Sequence, residues 1–172
     1  MDADSAFPAR MWGPVPPPPP GRTWESLMDR ALVLAEANGA RGEIPVAAVV
    51  VAPDGTIVGE AANAPLRGDD PTAHAEILAL RAAGKTLGNY RLGGCCMVVT
   101  LEPCLMCAGA VAHARLAGLV YGAADVKAGA VSSCLHGLDL PLHTHRVWHM
   151  GGVRAEACAE LLREFFFVRR GS

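Results

Sequence analysis

Long hydrophobic runs are missing from this chain of 172 residues, although 51% of its residues are hydrophobic. No apolar stretch reaches the roughly 18 residues that a membrane-spanning helix needs, so we expect a soluble protein with no membrane association. The start of the chain also lacks a basic segment followed by an apolar core. This excludes a secretory signal peptide and predicts a cytoplasmic location.

A strong charge of either sign is missing as well. The chain carries 15 basic and 17 acidic residues, which gives a formal net charge of −2. This balance excludes a uniformly basic nucleic-acid-binding protein but is compatible with a local basic patch. The hydrophobic content also excludes disorder for the chain as a whole.

Proline is concentrated at one end of the chain. Seven of the 13 prolines fall within residues 1–21, and five of them are consecutive from Pro16 to Pro20. Such a run favours an extended polyproline helix without internal hydrogen bonds. We therefore predict a disordered, proline-rich tail over residues 1–21 and one folded domain over residues 22–172, which is long enough to bury a core without staples.

Hydrophobic periodicity predicts helices and strands in alternation after the tail. Apolar residues recur at helical spacing from Trp24 to Gly39, and valine-rich runs are typical of strands buried on both faces. We predict further helices over 73–83, 103–114 and 156–169, and strands over 46–52, 56–62, 96–101, 119–121 and 146–150. This alternation indicates an α/β protein, a three-layer α/β/α sandwich.

Two short motifs carry the chemistry. His74 and Glu76 form a His-x-Glu pair, and about thirty residues later Cys104 and Cys107 follow Pro103 as Pro-Cys-x-x-Cys. Cysteines at i and i+3 of a first helical turn place both sulfurs on one face, near N–H groups that stabilise thiolates. Two thiolates and one imidazole suit zinc and leave the fourth tetrahedral position open, which is the catalytic arrangement. Glu76 is then available as a proton shuttle.

Each motif has another interpretation when it is taken alone. Cys104 and Cys107 also suit a redox pair, and a single histidine such as His74 is more often a core or capping residue. In combination, the motifs match the signature of zinc deaminases. Residues i and i+2 of a regular helix point about 200° apart, so His74 and Glu76 share one site only at the first turn of their helix.

The chain resembles the bacterial tRNA adenosine deaminases over most of its length, from about residue 24 to residue 170. The segments that carry the resemblance are DPTAHAEI at 70–77, YRL at 90–92, TLEPCLMCAGA at 100–110, YGAADVKAGA at 121–130 and CAELLREFF at 158–166. The resemblance implies a cytidine deaminase-like fold with a five-stranded mixed sheet, and a homodimer.

The same resemblance implies a reaction. It is the hydrolytic deamination of adenosine to inosine at the wobble position of a tRNA anticodon stem-loop. One zinc ion per chain, held by His74, Cys104 and Cys107, would activate a water whose proton Glu76 carries.

Substrate contacts are also implied by the resemblance. Asn63 matches a pocket asparagine whose amide both donates and accepts hydrogen bonds, and the backbone at Ala73 would line the pocket. Asp125 matches an acidic residue near the ribose of the target nucleotide, where a carboxylate accepts from a 2′-hydroxyl. Lys127, Arg169 and Arg170 are candidates for contacts with phosphates.

Two other functions remain open at this stage. A deaminase of a free nucleobase or nucleoside, such as guanine or cytosine, shares the zinc motifs, although residues 125–127 and the closing helix resemble the tRNA enzymes. A zinc-stabilised interaction module without catalysis would need a fourth protein ligand and would not need Glu76.

Other cysteines and histidines receive a structural interpretation. Cys95 and Cys96 are adjacent, which makes a disulfide between them unfavourable, and we expect them to be small buried hydrophobic residues. His143, His145 and His149 lie close together, but the first ligand set is already complete, so we do not expect a second metal site.

Overall fold

A computed structural model describes residues 14–170 of the chain, and five α-helices and five β-strands lie within that range. In chain order these are α1 (Trp24–Gly39), β1 (Ala47–Val51), β2 (Ile57–Ala62), α2 (Pro65–Gly68), α3 (Ala75–Leu87), β3 (Cys96–Leu101), α4 (Leu105–His113), β4 (Gly118–Ala123), β5 (Trp148–Met150) and α5 (Ala155–Arg170). No helix within the described range is long and apolar enough to cross a bilayer.

The five strands form one mixed sheet in the order β2-β1-β3-β4-β5. Strand β1 pairs antiparallel with both β2 and β3, while β3, β4 and β5 run parallel to one another. The hairpin of β1 and β2 follows from the Asp54-Gly55 turn, where the Asp54 side chain accepts from the N–H of Thr56. The predicted five-stranded mixed sheet is confirmed.

Helices cover both faces of the sheet, so the predicted three-layer sandwich is also confirmed. On one face, Ala79 of α3 and Val111 of α4 belong to the first core cluster. On the other face, Met28 of α1 and Cys158 of α5 belong to the second. Successive residues of β1 enter alternate clusters, which explains why this strand is apolar at every position.

Helix α3 lies unusually close to the hairpin because β2 contains a glycine at the contact. A Cβ at Gly59 would lie 2.5 Å from the carbonyl oxygen of Ala79 and 2.6 Å from the nitrogen of Ala83. Only glycine permits this approach. The contact fixes α3 against the sheet, and with it the end of the helix that carries His74 and Glu76.

Two predicted helix boundaries were wrong. The helix expected to end at Gly84 continues to Leu87, and Gly88 caps it with a φ of +62°. A glycine inside a helix costs only about 1 kcal/mol, so Gly84 does not stop it, whereas the left-handed position after the last turn requires Gly88. Pro103 was expected in the first turn of α4, but it precedes Cys104, which is the N-cap.

The boundary between tail and domain stays a prediction. Residues 1–13 of the predicted tail lie outside the described residues. Residues 14–21 contain no helix or strand, and the carbonyl of Pro19 accepts from the N–H of Arg22 at 3.1 Å. The Arg22 guanidinium donates to the carbonyl of Gly55 at 2.9 Å, which attaches the start of the domain to the β1–β2 turn.

The two adjacent cysteines and the three clustered histidines are buried or lie close to hydrogen-bond acceptors. Cys95 and Cys96 are buried and unpaired, as expected. The ring Nε2 atoms of His143 and His145 lie 2.8 Å from the carbonyl of Gly137 and 2.7 Å from that of Leu116. His149 Nε2 lies 3.3 Å from a carboxylate oxygen of Asp139. Each ring thus contacts a separate acceptor.

Candidate active site

The start of helix α3 holds the His-x-Glu pair. His74 is the N-cap, with φ −72° and ψ 151°, and Glu76 lies in the first turn. A tight turn leads into this position, because the Asp70 side chain accepts from the N–H of Thr72 at 2.8 Å. This is the arrangement that lets residues i and i+2 face one site, and it confirms the placement at the first turn.

The start of helix α4 holds the two cysteines. Cys104 is the N-cap in an extended conformation, and Cys107 lies in the first turn. Cys104 is half-buried and Cys107 is fully buried. Strand β3 ends immediately before this turn, so the sheet determines where both sulfurs lie.

The three side chains form a group that could hold a metal ion. His74 Nδ1 lies 3.6 Å from Cys104 Sγ and 3.6 Å from Cys107 Sγ. All three donor atoms lie within 4.8 Å of one another, and the described residues contain no other such group. Ligands at about 2.3 Å for sulfur and about 2.0–2.1 Å for nitrogen around a tetrahedral zinc ion are about 3.6 Å apart. The donor set therefore fits zinc, with Nδ1 as the histidine ligand atom.

The N-termini of two helices meet at this group, which favours negative charge there. A hydrogen bond from the Cys107 thiol, followed by those from the N–H groups of Cys107 and Met106, lowers the pKa of Cys104 to about 5. The same hydrogen bond and burial raise the pKa of Cys107. The lowered pKa of Cys104 favours its thiolate, which is the form that binds zinc.

Glu76 is a buried carboxyl beside the ligands, with 4% of its surface exposed. Burial raises its pKa to about 7, against the opposing effect of its own peptide N–H. A carboxyl group in this range gains and loses a proton readily near neutral pH. A carboxyl group with these properties is chemically suited to carry protons.

A cavity of about 510 Å³ opens over the group. The predicted site residues that line it are Asn63, His74, Glu76, Cys104, Asp125 and Lys127. Cys107 lies behind them in the protein interior. Most of the predicted site residues are therefore brought together by the fold, although they come from four separate segments of the chain.

Ala73 does not line the cavity, although it is adjacent to His74. Its N–H donates to the carbonyl of Asp70 at 3.1 Å, and its carbonyl accepts from the N–H of Ala64 at 2.9 Å. These bonds hold the turn before α3. The expected substrate contact of the Ala73 backbone stays a prediction.

Asn63 links the cavity to helix α3. Its side-chain oxygen accepts from the N–H of Ala75 at 2.8 Å, which satisfies an N–H group of the first turn. Its backbone carbonyl accepts from the side chain of Asn38 at 2.9 Å. Because the amide oxygen is engaged, Nδ2 is the group that Asn63 offers to a ligand.

Asp125 and Lys127 lie on a loop after β4. One carboxylate oxygen of Asp125, Oδ1, accepts from the N–H of Lys127 at 2.9 Å and from that of Ala128 at 3.1 Å. This turn holds the Asp125 side chain in one orientation at the cavity. The Lys127 side chain is exposed beside it.

Two buried glutamates near the cavity were missed by the sequence reasoning. Glu43 accepts from the N–H groups of Leu66 and Arg67, which belong to the short helix α2 beside the cavity. Glu102 accepts from the loop that carries Asp125. For Glu102, its position two residues before Cys104 was the one feature of the sequence that could have indicated a place near the site; Glu43 had no such feature.

An apolar wall was also missed. Ile44, Leu162 and Phe166 line the cavity together with the polar residues. Two of them come from α5, whose sequence predicted a helix but not which side chains face the site. A wall of this kind excludes water from part of the cavity and offers a surface for a base to stack on.

Three candidate metal donors surround one position, and a buried carboxyl group lies beside them. The donors and the carboxyl group lie at the N-termini of two helices of an α/β/α sandwich. Together these features define the class of zinc-dependent deaminases. The family described as the cytidine and deoxycytidylate deaminase zinc-binding region matches residues 22–123. That match includes all three donors and Glu76.

Comparisons with whole proteins are more specific. The chain is 48% identical to the tRNA-specific adenosine deaminase of Haemophilus influenzae over 146 residues, which cover 85% of this chain and 84% of that protein. A solved tRNA:A34 deaminase, described in work on A-to-I editing at the wobble position, shows 42% identity and a TM-score of 0.76, and the match covers 79% of this chain and 98% of that one. The guanine deaminase of Nitrosomonas europaea shows 30% identity, 82% and 83% coverage, and a TM-score of 0.73. The chain therefore belongs to the tRNA-specific adenosine deaminase family.

Proposed function

We propose that the chain hydrolyses adenosine to inosine, with release of ammonia, at the wobble position of a tRNA anticodon. The observation that carries this proposal is the buried Glu76 beside the His74, Cys104 and Cys107 donors, at the head of a cavity that also holds Asn63 and Asp125. The 48% identity to a tRNA-specific adenosine deaminase and the 42% identity to a solved tRNA:A34 deaminase, against 30% for a guanine deaminase, support the choice of substrate over a free base.

One zinc ion per chain would be held by His74 Nδ1 and the two cysteine sulfurs. When bound, zinc supplies a Lewis acid that makes water nucleophilic at neutral pH. Glu76 would accept one proton of the attacking water as the water oxygen bonds to carbon six of the adenine ring, and it would pass this proton to the ring nitrogen. Glu76 would then take the second proton from the hydroxyl group formed on carbon six and give it to the amine, so that the C–N bond breaks, ammonia leaves and the carbonyl of inosine forms.

The rest of the cavity positions the nucleotide. Asn63 offers Nδ2 as a donor to the nucleotide, while its oxygen holds α3. Asp125 accepts from the ribose 2′-hydroxyl, and Lys127 contacts a phosphate. Phe166 and Leu162 form the apolar surface against which a base packs. These assignments make an anticodon stem-loop the partner.

A homodimer in the cytoplasm belongs to the same proposal. An apolar groove of about 790 Å³ runs along α3 and α4 on the outside of the domain, and exposed Tyr90 lines it. All six cysteines are unpaired, which is typical of a reducing compartment. Light scattering of the purified protein measures the oligomeric state, and a monomer at micromolar concentration contradicts the dimer.

The domain is proposed to begin at residue 22, with the proline-rich residues as an accessory segment. Deletion of residues 1–13 should leave kcat/KM within about twofold, because the contacts of Arg22 with Gly55 are kept. A loss of more than about tenfold would place substrate or partner contacts in that segment.

The decisive assay uses the zinc-loaded protein with an anticodon stem-loop that carries adenosine at the wobble position. Free adenosine, guanine and cytosine are assayed in parallel, and inosine is measured by mass spectrometry after digestion. Inosine from the stem-loop alone supports the proposal. Turnover of a free base alone contradicts it and moves the chain to the small-molecule deaminases.

A metal assay tests the ligand set separately. Cys104→Ala should lose bound zinc and all turnover, because two remaining donors hold the ion weakly. Cys134→Ala is the matched control for zinc content alone, since Cys134 is exposed and does not belong to the donor group, while its thiol donates to the carbonyl of Val126 in the loop beside the cavity. Full zinc occupancy in Cys104→Ala would refute the assignment.

A further inference from the structure

Glu102 lies between strand β3 and the ligand Cys104, and it is 2% exposed. Its side chain accepts five hydrogen bonds. Oε1 accepts from the N–H groups of Val131, Ser132 and Ser133 at 3.1, 2.7 and 2.9 Å. Oε2 accepts from the N–H of Asp125 at 3.1 Å and from the hydroxyl of Ser133. All five partners are donors, and a carboxylate is the side chain that accepts at both atoms.

These five donors come from the two ends of one loop, residues 125–133. The loop is closed further by a hydrogen bond from the N–H of Gly129 to the carbonyl of Asp125 at 2.8 Å. A Cβ at Gly129 would lie 2.5 Å from the Cδ atom of Glu102 and 2.5 Å from the Asp125 carbonyl oxygen. The loop therefore packs directly on the buried carboxylate, without space for another atom.

The packing restricts Asp125 in particular. Its peptide is held by Glu102, and its Oδ1 is held by the N–H groups of Lys127 and Ala128. Within residues 14–170, Oδ1 is the only oxygen of this carboxylate that accepts a hydrogen bond from the protein. Oδ2 keeps its acceptor capacity for a ligand, and Asp125 is one of the residues that line the cavity.

We propose that Glu102 is a positioning residue, which fixes the loop of residues 125–133 so that Asp125 meets the substrate in one orientation. The inference rests on the proposed function for its effect on substrate. Because Glu102 is two residues from Cys104, one short segment connects the metal ligand to the substrate loop. The distance between the reacting centre and the ribose contact is then set by the protein before the substrate binds.

Glu102→Gln tests the proposal with little change in volume. An amide that keeps its oxygen at the Oε1 position retains three bonds and turns its NH2 group toward the N–H of Asp125. We expect faster hydrogen exchange at the backbone amides of Asp125 and residues 131–133, unchanged exchange in α3, and full zinc content. We also expect KM for the stem-loop to rise about tenfold, with kcat changed by less than about threefold.

A double-mutant cycle separates positioning from general loss of stability. If Glu102 acts through Asp125, then Glu102→Gln should raise KM much less in an Asp125→Ala background than in the wild type. An equal increase in both backgrounds overturns the proposal. Glu60→Gln is the matched control: it removes a carboxylate that pairs with Arg30 on the surface, and it should change neither parameter.

A second variant keeps the test decisive if Glu102→Gln fails to fold. In Gly129→Ala the added methyl group displaces the loop from Glu102, while the carboxylate itself is unchanged. This variant should therefore show a similar increase in KM and retain its zinc. Unchanged exchange in the loop of either folded variant overturns the inference. If the wild-type protein does not deaminate the stem-loop, the proposed function fails, while the exchange measurement still decides whether Glu102 holds the loop.

Discussion

Glu76 and Glu102 are both buried glutamates beside one cavity, but their surroundings give them opposite acid–base behaviour. Burial raises the pKa of Glu76 to about 7. Burial acts in the same direction on Glu102, but hydrogen bonds from Ser133 and from three backbone N–H groups, those of Ser132, Ser133 and Asp125, hold its pKa below its usual value. Burial alone does not decide what a carboxyl group does, because the number of donors that face it decides whether it keeps its charge.

The opposite pKa shifts of Glu76 and Glu102 suit two different roles. A carboxyl group with few donors exchanges its proton at low cost, which suits the shuttle proposed for Glu76. Five donors favour the charged form of a carboxyl group, and a loop folds around the Glu102 carboxylate through these hydrogen bonds. A cation bound at the metal site would lower the pKa of both glutamates, while the hydrogen bonds that surround Glu102 would stay the same.

Glu76→Gln should give the largest effect. We expect kcat to fall by about a thousandfold, since general acid–base groups contribute about 10²–10⁴-fold and an amide cannot carry a proton. Zinc content and the free energy of unfolding should not fall, because the neutral amide replaces a carboxyl that burial already penalises. Single-turnover kinetics and metal analysis measure these quantities, and substantial residual kcat would contradict the shuttle.

Glu102→Gln should show the opposite pattern for stability. We expect the free energy of unfolding to fall by about 2–3 kcal/mol, because buried N–H groups lose their acceptor and face an NH2 group. Urea unfolding of the zinc-loaded protein measures this loss, and the same experiment on Glu76→Gln gives the free energy of unfolding with which it is compared. Equal losses in the two variants would remove the distinction between the glutamates.

The sequence predicted one of these glutamates and not the other, for a physical reason. Glu76 lies within a short motif, where residue type and spacing to His74 carry the chemistry. Glu102 accepts from backbone N–H groups 23 to 31 residues further along the chain. Because nearly every residue has a backbone N–H, the residue types do not show which of these groups bind Glu102. Local signals therefore point to the candidate metal donors, whereas the loop that completes the cavity depends on tertiary contacts.

The same distinction holds for the fold. Strands β1 and β3 were predictable, because a run of apolar residues bounded by turn residues has few other interpretations. The end of α3 was not, since Gly84 and Gly88 are both glycines and only the backbone geometry shows which one caps the helix. The cavity wall from Leu162 and Phe166 depends on how α5 packs, which periodicity does not determine.

Ser133→Ala should give the smallest effect. Its hydroxyl is one of five donors to Glu102, and four backbone N–H groups remain when it is removed. Because those four N–H groups keep the carboxylate paired, we expect the free energy of unfolding to fall by less than about 1 kcal/mol, with kcat and KM unchanged within about twofold. Ser133→Thr, which keeps a hydroxyl at this exposed position, is the matched control. A loss as large as that of Glu102→Gln would mean that one side chain, rather than the folded backbone of the loop, keeps the Glu102 carboxylate ionised, and the contrast with Glu76 would then depend on a single hydroxyl group.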